Sequence, residues 1–173
     1  MKSELISSFN KTLFEQTTDI GIDFLEMALD EVTDNEFVKD IPVVGTIIKL
    51  GKAAITINDR RMIKKMLIFV REINNSNLSE EELQTHYEKL EKDPKEAQKE
   101  LEYIIAILDK QIEYEKSKLH AKLYIAYLKR NIDWARFNCF SDILDRLVLY
   151  DLDTLRDIYD KYSYGENEAP DVA

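Results

Sequence analysis

Apolar residues in this chain recur at spacings of three and four and rarely at two. That is the period of helices with one buried face. The pattern is densest from Ile41 to Ile73, read as a central helix pair. On a helical wheel Val43, Val44, Ile47, Ile48, Leu50, Gly51, Ala54, Ile55 and Ile57 share about half a turn of arc. Gly45, Thr46, Lys49, Lys52 and Thr56 form a narrower polar strip. The spacing predicts a deep helix with Ile47, Leu50, Ala54 and Ile57 in the core. Pro42 suits its first position, where a missing N–H costs nothing. Asn58 and Asp59 offer a stop and a fresh N-cap. A second helix then carries Met62, Ile63, Met66, Leu67, Phe69, Val70 and Ile73 inward. Arg60, Arg61, Lys64, Lys65 and Arg71 are expected to lie mostly outward.

Before this pair, a first helix is predicted over about Ser3 to Val32. Ile6, Phe9, Leu13, Thr17, Ile20, Phe24 and Ala28 step along one face, and Gly21 with Thr17-Thr18-Asp19 marks a bend or break. Thr33 to Ile41 reads as a loop. After it, Ser79 and Glu82 have the S-x-x-E spacing of a capping box and open a helix to about Lys92. Asp93-Pro94 opens another, with Ala97, Leu101, Ile104, Ile105, Leu108 and Ile112 inward. A break is expected near Glu113 to Ser117, and then a helix buries Leu119, Leu123, Ala126 and Tyr127. Asp133 caps a segment holding Trp134, Phe137, Phe140, Ile143, Leu144 and Leu147, with Trp134 expected to be substantially buried. A last helix starts near Asp151 or Asp153 and ends near Tyr162. Residues 163–173 read as a disordered acidic tail. With only 4 Gly and 3 Pro for turns, the chain is expected to be all-α, one compact domain over 1–162 with about seven or eight helices.

Charge changes the picture more than composition does. A net charge of −10 argues against general nucleic-acid binding, which needs a positive surface. The charge is segregated: residues 1–40 hold three lysines against ten acids, and residues 41–75 hold seven bases against two acids. The acidic first helix is therefore expected beside the basic one. Arg60, Arg61, Lys64, Lys65 and Arg71 are the candidate partner-binding residues, suited to an acidic protein surface, an anionic ligand or lipid headgroups.

Candidate chemistry is sparse. The single cysteine, Cys139, excludes a disulfide within the chain and reads as a small, partly buried apolar residue. His86 and His120 belong to no HExxH pair and read as surface or structural residues. Asp142, Asp145, Asp151, Asp153 and Asp157 form the densest late cluster of oxygen ligands, without the ordered spacing of an EF-hand loop. There is no Gly-rich phosphate loop and no nucleophile elbow. No catalytic residue, metal ligand set or cofactor is assigned. The N-terminal segment lacks the apolar core of a secretory signal, so a cytoplasmic location is expected.

The runs IPVVGTIIKLGKAAITINDRRMIKKMLIFVREIN, KLHAKLYIAYLKRNIDWARF and SDILDRLVLYDLDTL together resemble small, uncharacterised single-domain helical proteins of bacteria and prophages. The likeness covers roughly residues 41–160. The KLYIAYLKRNIDWARF portion is also similar to TerB-like helical domains, without their acidic metal-binding signature. The resemblance implies a bacterial or phage cytosolic origin and transfers no site residue. The leading expectation is a non-enzymatic interaction protein with a protein partner, in phage defence or counter-defence. Two alternatives stand beside it. One is a membrane-associating effector using the apolar 43–57 and basic 60–71 helices. The other is a metal-dependent protein or enzyme using the late aspartates.

Overall fold

The computed structural model describes residues 2–15, 36–50 and 56–163. The described residues form eight α-helices and no strand. They are α1 (Lys2–Asn10), α2 (Pro42–Leu50), α3 (Ile57–Asn74), α4 (Glu80–Lys92), α5 (Pro94–Lys110), α6 (Tyr114–Leu128), α7 (Trp134–Arg146) and α8 (Leu149–Ser163). A π-helical turn, Lys11–Glu15, extends α1, and a 3-10 turn, Glu36–Asp40, precedes α2. The chain is thus the all-α bundle that its periodicity predicts.

Of the long first helix expected over about Ser3 to Val32, the described residues cover α1 and its π turn. The π turn has a local reason: Thr12 is buried, donates to the Ser8 carbonyl at 2.9 Å, and accepts the Val43 N–H at 3.1 Å. That N–H is one of the donors that a helix start leaves unpaired. Thr12 therefore ties α1 to the beginning of α2. Pro42 opens α2 as expected. The readings of Thr17, Ile20, Gly21, Phe24 and Ala28, of Ala54 and of the tail beyond Ser163 lie outside the described residues. So does the placement of the acidic first helix beside the basic one.

The start of α3 corrects the sequence reading. Its N-cap is Thr56, not Asn58 or Asp59. Asp59 sits at the third helical position and completes a capping box: its N–H donates to Thr56 Oγ1 at 3.1 Å, and the Thr56 N–H donates back to its carboxylate at 2.9 Å. Ile57 becomes the first residue of α3, 77% exposed, rather than core. Of the other core residues expected nearby, Ile47 is buried and Leu50 half-buried.

Helix α3 is the centre of the bundle. Ile63, Met66, Leu67, Ile68, Phe69, Val70 and Ile73 are all buried, and it packs chiefly on α6, then on α5 and α2. The caps read for α4, α5 and α7 are present: Ser79 with Glu82, Asp93 before Pro94, and Asp133. Ile112 falls past the end of α5 and is exposed, whereas Trp134 is partly buried and packs against the core. Phe140 and Ile143 also stay largely exposed.

Helix α6 ends in a Schellman turn. The Arg130 N–H donates to Tyr127 O and the Asn131 N–H to Ala126 O, each at 2.9 Å. Arg130 takes φ 59°, the left-handed position where glycine is usual.

Gly45 yields a test of how tightly α2 is seated. A Cβ there would meet the Lys39 carbonyl oxygen at 2.6 Å, and that atom belongs to backbone. Gly45→Ala is expected to lower stability by roughly 1–3 kcal/mol in a denaturant melt, the range for overpacking, despite alanine's better helix propensity. An unchanged or raised midpoint would show that the 3-10 turn is free to move away.

Candidate functional site

The five basic residues of α3 do not form one surface. Lys65 is only 4% exposed, which corrects its outward placement. Its ammonium donates to Asp109 O at 3.0 Å and Gln111 O at 3.1 Å. Arg61 donates to Ile112 O at 3.3 Å. These carbonyls lie at and just past the end of α5, where a helix leaves acceptors unpaired and carries partial negative charge. Burial lowers the Lys65 pKa; nearby Asp109 opposes that shift and Arg61 adds to it. Lys64 stands 5.2 Å from the centroid of the Tyr114 ring, a cation–π distance. Arg71 is half-buried and 3.7 Å from Glu72, and Arg60 alone of the five is exposed. Arg61 and Lys65 thus serve the end of α5.

The other two sequence alternatives meet similar geometry. Val43, Val44 and Ile47 of the apolar segment are buried in the core, and no helix among the described residues is long and apolar enough to cross a membrane. Among the described residues, no three His, Cys, Asp or Glu side chains gather where they could hold a metal ion. Asp145 instead accepts from Gln111 Nε2 at 2.9 Å. Cys139 is exposed rather than partly buried.

Three features were not singled out from the sequence. The first is a polar cluster beneath a cleft. Glu100 is 2% exposed in the middle of α5. Tyr124 donates to its Oε1 at 2.6 Å, Tyr127 to its Oε2 at 3.2 Å, and His86 Nε2 lies 2.7 Å from Oε1. A carboxylate partner assigns the ring proton to Nε2. Burial first, and Glu100 second, push both phenols upward in pKa, so both remain donors. Phe14, Tyr124 and Tyr127 surround the imidazole at centroid distances of 5.5–6.1 Å. His86 and Tyr127 also line a cleft of about 820 Å³ between α4 and the end of α6. Its rim charges are largely matched: Lys89 with Glu96 at 3.1 Å and Lys92 with Glu88 at 4.0 Å. The cluster holds α4, α5 and α6 together.

The second feature is the buried face of α6. It consists of Lys116, Ser117, His120, Ala121, Tyr124 and Leu128, whereas Leu119, Leu123, Ala126 and Tyr127 are half-buried. Four polar residues on the inner face hide it from any search by hydrophobicity. Lys116 donates to Asp145 O at 2.9 Å, at the end of α7. Both nitrogens of His120 and the hydroxyls of Ser117 and Ser141 are enclosed without a protein hydrogen-bond partner. Burial lowers the His120 pKa to about 4; Asp145 opposes that shift and Lys116 adds to it.

The third feature is the outer surface of α7 and α8. From Tyr150 to Tyr162 every residue of α8 except Leu152 is exposed. Tyr150, Tyr159 and Tyr162 are 79%, 72% and 71% exposed, and Leu155 and Ile158 are about half so. Val148, Phe140 and Ile143 add further exposed apolar surface on the approach. The sequence signal was available: the apolar residues of α8 keep a helical spacing.

No protein family, curated protein or solved structure matches the chain.

Two outcomes follow from these contacts. Replacing Lys65 by Met keeps its bulk but leaves two carbonyls short of a donor. Lys65→Met is expected to cost roughly 1–3 kcal/mol in a denaturant melt, whereas Arg60→Met should stay within about 0.5 kcal/mol. His120 is neutral when buried, and its folded pKa of about 4 lies below the ordinary value of 6.5. Its contribution is therefore complete above about pH 6.5, is lost as pH falls towards 4, and levels off below. The loss amounts to about 3 kcal/mol. His120→Gln should flatten that part of the stability–pH curve; an unchanged slope would assign acid sensitivity to other groups.

Proposed function

We infer that this protein is a non-enzymatic helical interaction protein that docks another protein through α8. The observation that carries the reading is the exposure of Tyr150, Leu155, Ile158, Tyr159 and Tyr162 on one terminal helix. Large apolar and aromatic side chains in that number are what binding surfaces present, and Tyr is a residue type enriched where binding energy concentrates. The acids of the same helix supply the partner's chemistry, since a positively charged protein surface would complement them. The bundle then serves as the base from which α7 carries α8 into solvent. The cationic residues of α3 recede as a docking surface, because Lys65 and Arg61 are spent on the end of α5. Phage defence or counter-defence in a bacterial cytoplasm is the proposed setting, after the sequence likeness of residues 41–160 to small helical proteins of bacteria and prophages.

The reading is tested by Leu155→Asp with Tyr159→Asp. Both positions are exposed, so the melt should move by no more than about 0.5 kcal/mol. A partner captured from native-host lysate and identified by mass spectrometry would be purified and titrated against both proteins. The variant is expected to bind roughly 30-fold more weakly or worse, as for the loss of central anchors. Equal binding by wild type and variant would move the docking surface away from α8.

A further inference from the structure

We propose that the partner of α8 is a cationic amphipathic helix, laid lengthwise along the apolar seam of α8. The proposal rests on the reading of α8 as a docking helix and names what it docks. Val148, Leu152, Leu155, Tyr159 and Tyr162 follow one another at intervals of four, three, four and three. That is the seam by which one helix meets another along its length. Only Leu152 of the five is half-buried; the others are exposed, and Ile158 widens the stripe on one side.

Charge selects among the possible occupants. Residues 149–173 hold seven acids against two bases, which is half of the net charge of −10 of the whole chain. Of the two bases in that segment, Arg156 is 3.9 Å from Asp160 on the same helix. A second copy would bring an identical negative segment against this one and be repelled. An anionic lipid surface would be repelled for the same reason. A helix flanked by Lys and Arg would neutralise Asp151, Asp153 and Asp157 while filling the seam. The rings of Tyr150, Tyr159 and Tyr162 offer further faces to its cations.

The test uses the full chain and two synthetic helical peptides with the same leucine seam. One peptide is flanked by Lys and Arg and the other by Glu, and binding is read by fluorescence anisotropy. The cationic peptide is expected to bind roughly tenfold tighter or more, with affinity falling as salt is added. Leu155→Asp with Tyr159→Asp should abolish binding, and Asp153→Asn with Asp157→Asn should weaken the cationic peptide alone. Circular dichroism of both variants checks that the fold is kept. If both peptides bind equally and the apolar variant loses both, α8 remains a docking helix and the cationic partner is overturned. Binding that survives in the apolar variant, or no binding of either peptide, overturns the cationic helix as the occupant of the seam. A dimer in sedimentation that becomes monomeric in the apolar variant assigns the seam to a second copy, and binding to anionic vesicles assigns it to lipid; either result overturns the proposal.

Discussion

Two helix ends of this bundle are closed by lysines from neighbouring helices. Lys65 of α3 reaches the carbonyls of Asp109 and Gln111 at the end of α5, and Lys116 of α6 reaches Asp145 O at the end of α7. Both lysines are buried. A buried ammonium needs acceptors for its N–H groups, and a helix C-terminus leaves carbonyls that need donors. Each solves the other's problem. Because the acceptors are backbone atoms, the contacts set where α5 and α7 stop relative to α3 and α6. Arg61 extends the same device to Ile112 O. The most basic stretch of an acidic chain is thereby explained in part by the fold.

The same economy governs the polar groups around α6. Glu100 gathers Tyr124, Tyr127 and His86 at a point where α4, α5 and α6 converge. A buried carboxylate with three partners joins helices that apolar contacts alone would leave free to slide. Trp134 and Phe137 stack at 5.0 Å and extend the tyrosine cluster onto α7. The inner face of α6 beside α7 is less well matched: Ser117 and His120 are enclosed there without partners. Burial lowers the His120 pKa, which makes it an acid-sensitive group of the interior.

Function is sought where the fold stops consuming its side chains. The cations of α3 and the polar groups of α5 and α6 are largely answered within the bundle. The apolar residues of α8 are not, among the described residues. The aromatic and aliphatic side chains of α8 face water on a segment holding half of the chain's net negative charge, and this is what supports the proposed partner of opposite charge.

The sequence by itself determined the helices and most of their ends, because these depend on local events. Ser79 with Glu82, Asp93 before Pro94, and Asp133 each act within a few residues. The inward face of α3 was equally legible, since Ile63, Met66, Phe69, Val70 and Ile73 keep one period. Thr56 shows the limit of such reading: two capping signals stood side by side, and the reciprocal pair with Asp59 won over Asn58. What only the tertiary structure decided is which polar side chains go inside. Lys65 and Lys116 look like solvent residues until the carbonyls 44 and 29 positions away are brought to them. Glu100 looks like one more exposed acid until Tyr124, Tyr127 and His86 arrive from other helices. The exposure of α8 is of the same kind. Its period shows that it has an apolar side, and only the packing of the other helices shows that nothing among the described residues covers it.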